Sequence, residues 1–83
     1  MKERLAAYIR QELVDRTVHG EREIAFDEDL LGSGLLDSLG IMSLVIFIEQ
    51  EMGIDIPAED VTIENFETLE IIDAYLDRRR PGT

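Results

Sequence analysis

From Leu39 to Met52 the chain is apolar on more than one helical face, and that run limits what so short a sequence can fold into. Stepping about a hundred degrees per residue puts Ile41, Leu44, Val45, Ile48 and Met52 on one side, as a core stripe should lie. Leu39, Ile46 and Phe47 fall on the opposite side, interleaved only with Gly40, Ser43 and Gln50. A helix that is apolar all round is ordinarily a buried one. A chain of 83 residues, however, has too little material to enclose one helix completely, so part of this second face is expected to stay open to partners. With no cysteine to form disulfides or hold zinc, the fold must rest on packed helices.

The flanking sequence supplies those helices. Leu5, Ala6, Ile9 and Leu13 form one stripe with Tyr8 on its margin, which predicts an amphipathic helix near 3–17. Periodicity then fades between Val18 and Asp37, where Gly20, Gly32, Ser33 and Gly34 mark a long loop. Loops of that length are uncommon in compact domains and usually functional. Ile24, Phe26, Leu30, Leu31, Leu35 and Leu36 are expected to pin it to the helices. The second helix should span 39–52, with Asp37 and Ser38 both suitable N-caps and Gly53 suited to a left-handed C-cap. Pro57 permits a helical turn through Ala58, Glu59 and Asp60, and a further short helix is expected over 62–66. A last helix over 68–80, capped by Thr68, buries Leu69, Ile72 and Leu76, with Ile71 and Tyr75 flanking. Arg78, Arg79 and Arg80 complement its negative end, and Pro81 with Gly82 ends it. Ile54 and Ile56 alternate as in a strand but have no partner strand, so they read as loop anchors. The expectation is an all-α bundle of three to four helices, in one domain spanning 1–83, with a long loop between the first two helices.

Composition narrows the function. A content of 45% apolar and 33% charged residues fits a compact fold. The formal charge of −11 disfavours nucleic acid and anionic membrane surfaces and favours partners rich in lysine and arginine. The lack of cysteine fits a reducing cytoplasm. MKERLAAYIRQEL mixes charge into its apolar positions, unlike a signal peptide, and no apolar run is long enough to insert into a membrane. Asp27, Asp29 and Gly32 match three positions of a calcium loop, but Leu31 and Ser38 stand where ligands are required, so no metal site is expected. Gly32-Ser33-Gly34 falls short of a nucleophile elbow, and His19 reads as a surface or helix-end residue, so no catalytic residue is expected.

At the head of the second helix stands GLLDSLG, residues 34–40. Here the sequence resembles the acyl carrier proteins, including the peptidyl and D-alanyl carriers, in which Asp-Ser-Leu opens the second helix after a long loop. The likeness extends over nearly the whole chain: length, acidity, helix, loop, Asp-Ser-Leu, helix, Ile-Pro, short helix and final helix. It implies a helical bundle of the acyl carrier type that is not an enzyme. Ser38 would bear a covalent 4′-phosphopantetheine arm derived from coenzyme A, between Asp37 and Leu39, and acyl or aminoacyl groups would ride on it as thioesters. The implied partners are a phosphopantetheinyl transferase and acyl- or aminoacyl-adenylating ligases or synthases, acting on a monomeric, cytoplasmic carrier. Leu39, Ser43, Ile46, Phe47 and Gln50 would form the partner face, less acidic than in fatty-acid carriers. GLLDSLG and ENFETLEII, residues 64–72, look somewhat like the D-alanyl carriers loaded by adenylating ligases.

Physical chemistry agrees with that placement. Serine is a poor nucleophile without a base, so an external transferase must supply one. A phosphodiester at a helix N-terminus meets free N–H groups and the favourable end of the dipole. By residue type alone simple N-capping would be the preferred account of Ser38; the long loop, the charge and the two-faced helix together reverse that preference. The competing function is an unmodified helical protein–protein interaction module using the same face.

Overall fold

A computed structural model describes residues 1–13 and 23–79. All the regular structure among them is helical. Helix α1 spans Lys2–Tyr8 and continues through Ile9–Leu13 with the wider π-type winding. Helix α2 spans Ser38–Met52, a 3-10 turn covers Ala58–Asp60, α3 spans Ile63–Phe66 and α4 spans Leu69–Arg79. The expected extension of the first helix to 17, together with Val18, His19, Gly20, Arg80, Pro81 and Gly82, lies outside the described residues. No helix among the described residues is long and apolar enough to cross a membrane.

The boundaries of α2 follow from local chemistry. Asp37 has extended backbone angles, and its Oδ1 accepts the Gly40 N–H at 2.8 Å, which satisfies one of the donors a helix start leaves unpaired. The helix therefore begins one residue earlier than the expected Leu39, with Asp37 rather than Ser38 as the cap. A Cβ on Gly40 would stand 3.3 Å from that carboxylate oxygen and 3.4 Å from Leu36, so glycine leaves room for the cap. At the far end Gly53 takes φ +66° and donates its N–H to the Glu49 carbonyl, the expected left-handed cap.

The core gathers Leu5 and Ile9 of α1, Ile41, Leu44, Val45 and Ile48 of α2, and Phe66, Leu69, Ile72 and Leu76 from the C-terminal part. The stripes predicted for α2 and α4 are thus the buried ones, with Met52 only half-buried. Tyr75, expected on a flank, is buried because its ring packs on Phe66 and its hydroxyl reaches Asp60. The described part of the loop is pinned as its composition predicts. Ile24, Leu30, Leu35 and Leu36 are buried, the Leu30 N–H donates to the Glu67 carbonyl at 2.8 Å, and the Phe26 carbonyl accepts from Glu70 at 3.0 Å. That last bond satisfies a donor in the first turn of α4, and the Thr68 hydroxyl accepts another from Ile71. Ile56 is buried and Ile54 half-buried, as loop anchors should be. At the other end of α4, Arg79 donates to the Asp55 carbonyl at 2.6 Å.

Candidate functional site

The chain has three serines, and the fold treats them differently. Ser33 donates its hydroxyl to the Asp29 carbonyl and accepts from the Leu35 N–H. Ser43 lies half-buried midway along α2. Ser38 is exposed in the first turn of α2, and its hydroxyl has no hydrogen-bond partner among the described residues. Because Asp37 caps the helix, the Ser38 side chain is left available, which answers the reading of this serine as a mere cap. Helix geometry also leaves N–H groups of this first turn pointing outward, where they favour an anion.

Beside Ser38 opens a cleft of about 500 Å³. Asp37, Ser38, Ile41 and Met42 of α2 and its approach form one wall; Val61, Thr62, Ile63 and Phe66 form the other. Its rim is apolar and open to solvent: Met42 is 50% exposed and Ile63 65%. Leu39, Ser43, Ile46 and Gln50 recur at helical spacing on the outer side of α2, with Ile46 51% exposed and Gln50 exposed. These four residues thus share one side of α2, while Ser38 begins the helix at its N-terminal end.

Phe47 departs from that expectation. Its ring stacks on Tyr8 of α1 at 4.1 Å and 13°, and it is half-buried against the core. Two residues adjacent on the second apolar face thus have different surroundings: Ile46 faces solvent, and Phe47 joins α1 to α2 beside the Arg4–Glu51 ion pair. Met42 and Ile63, conversely, gained no role from the sequence. Met42 lies between the two stripes of α2, and Ile63 belongs to a four-residue helix too short to show a face.

The second wall is fastened to α4. The Tyr75 hydroxyl donates to Asp60 Oδ2 at 2.6 Å, and Asn65 donates to the Asp60 carbonyl at 2.9 Å. Burial first, and then this bond to the carboxylate, push the Tyr75 phenol up to about 12 from its ordinary 10. The folded state therefore favours the neutral phenol. That stability is fully present below pH 10 and is lost as pH rises through about 12, a change on the order of 2 kcal/mol. Denaturant titrations at pH 9 to 12 on wild type and Tyr75→Phe should show this extra loss in wild type only; parallel curves would contradict it.

Asp29, one of the calcium-loop matches, directs its Oδ1 at the backbone N–H groups of Leu31 and Gly32. It closes a turn in which a Cβ on Gly32 would meet its other oxygen at 2.1 Å.

A family model described as "Phosphopantetheine attachment site" matches residues 5–72, a span that includes GLLDSLG. The chain belongs to the phosphopantetheine-binding carrier family. Among curated relatives, the D-alanyl carrier proteins of Streptococcus pyogenes serotype M5 (strain Manfredo) and serotype M49 (strain NZ131) are each 33% identical over 58 residues. That stretch covers 70% of this chain and 73% of each relative. A phosphopantetheine-binding carrier holds its cargo on a covalent 4′-phosphopantetheine and is not itself the catalyst. Membership decides between a carrier and an unmodified interaction module in favour of the carrier. The residues present fit the group: an exposed hydroxyl at a capped helix start for the phosphodiester, and an apolar cleft alongside.

Proposed function

We propose that the chain, as a single carrier domain over 1–83, carries acyl or aminoacyl groups on a phosphopantetheine joined to Ser38 and presents them to partner enzymes. The observation that carries this reading is the state of the serines: Ser38 alone combines exposure, an unengaged hydroxyl and a place on the cleft. Ser38 would supply the oxygen of the new phosphodiester by attacking the pyrophosphate of coenzyme A; the P–O–P bond would break, the adenosine bisphosphate half would leave, and a phosphopantetheinyl transferase would take the serine proton. Asp37 would keep the helix start formed while the exposed Leu39, next to Ser38 in the chain, would contact the approaching partner. The bound group supplies a terminal thiol, which a chain without cysteine lacks. The similarity to D-alanyl carrier proteins supports an aminoacyl cargo; in this proposal an adenylating ligase loads it in the cytoplasm. The test is to incubate the loaded protein with adenylating ligases, ATP and either small amino acids or fatty acids, and to weigh the product. An aminoacyl thioester is expected; loading with fatty acids alone would overturn the aminoacyl assignment.

Leu39, Ser43, Ile46 and Gln50 form the proposed partner face, with Phe47 contributing at most its exposed edge. Ile46→Glu should keep the fold and raise the KM for the carrier about tenfold, through loss of roughly 1–2 kcal/mol of docking energy. Phe47→Glu should instead lower the melting temperature, since it breaks the stack on Tyr8. Melting curves and loading kinetics on both variants check this. A destabilised Ile46→Glu, or one that docks normally, would refute the assignment of the face.

A further inference from the structure

The segment between α2 and α4 is built from pieces too short to hold themselves in place. Its 3-10 turn has three residues and α3 has four, well below the roughly 12–15 residues at which an isolated helix becomes even marginal. Yet this segment supplies Val61, Thr62, Ile63 and Phe66 to the cleft beside Ser38. Asp60 holds its near end together, with a backbone carbonyl that accepts from both the Thr62 N–H and the Asn65 side chain. Tyr75 on α4 then grips the segment at two points. Its hydroxyl reaches the Asp60 carboxylate at 2.6 Å, and its ring lies tilted against Phe66 at 5.9 Å.

We propose that Tyr75 is a positioning residue: through its hydrogen bond to Asp60 it fixes the Val61–Phe66 wall beside Ser38, and so sets how readily a loading enzyme reaches that serine. The inference rests on the reading of Ser38 as the attachment point. A purely structural Tyr75 would act differently, because its loss would loosen α2 and the wall together.

Three variants separate these cases. Tyr75→Phe keeps the ring and removes the donor; Asp60→Ala removes the acceptor; Asp60→Asn keeps an oxygen able to accept. Amide hydrogen exchange is read on the unloaded protein, and transferase kinetics with coenzyme A are read under conditions where every variant is folded. In Tyr75→Phe and Asp60→Ala the amides of Asn65 and Phe66, both bonded to the Thr62 carbonyl, should exchange about tenfold faster than any change at Leu44 and Ile48 accounts for. The KM for the carrier should rise about fivefold with kcat unchanged, and Asp60→Asn should restore both readouts. The proposal fails if exchange quickens evenly across α2 and the wall. It fails equally if KM does not move, or if Asp60→Asn behaves like Asp60→Ala. Wild-type protein that gains no group at Ser38 would sink the attachment reading and this proposal with it. Normal loading at Ser38 with an unmoved KM would sink this proposal alone.

Discussion

Phe66→Ala is expected to lower the stability of the domain by about 3–5 kcal/mol, the range for emptying a fully buried aromatic site. Phe66 has no exposed surface, packs its ring on Tyr75 and lines the cleft from a helix of only four residues. A domain of this length has a total stability of roughly 4–12 kcal/mol, so the loss would take a large share of it. The denaturant midpoint should fall accordingly with the slope unchanged. A loss below about 1 kcal/mol would mean that the cleft wall is not anchored through this ring.

What was legible in the sequence was whatever local chemistry decides. Asp37 and Gly53 bound α2 because a carboxylate cap and a left-handed glycine act on neighbouring residues. Thr68 opens α4 in the same way. The apolar residues of the loop revealed that it must be pinned, and Leu30 and Leu36 are buried as that requires. Features that depend on a distant partner were not legible. Whether Phe47 or Ile46 stays exposed depends on where α1 places Tyr8, and no pattern within α2 encodes that. Tyr75 leaves the flank for the core because Asp60, fifteen residues earlier, meets its hydroxyl. The π-type winding of Ile9–Leu13 is a choice of hydrogen-bond register that no residue in that stretch announces. At the site itself, GLLDSLG marked Ser38, but only the geometry revealed that Asp37 takes the capping role and leaves the serine hydroxyl available. Met42 and Ile63 emerged as rim residues only when α2 and α3 were seen facing one cleft.

Ser38→Ala is expected to abolish loading completely while changing stability by less than about 0.5 kcal/mol, as for an exposed position with no partner to lose. The cap survives the change, since it runs from Asp37 to Gly40. A variant that folds normally and yet cannot be loaded separates attachment from structure. Neither of the other serines should substitute, because Ser33 is engaged in its turn and Ser43 is half-buried on α2.

Attachment at Ser38 is read from the intact mass of the protein after incubation with coenzyme A and a phosphopantetheinyl transferase, followed by mapping of the modified peptide. Wild type should gain the mass of one phosphopantetheine on the peptide containing residues 34–40, and Ser38→Ala should gain none. No addition to wild type, or an addition that survives Ser38→Ala, would contradict the account.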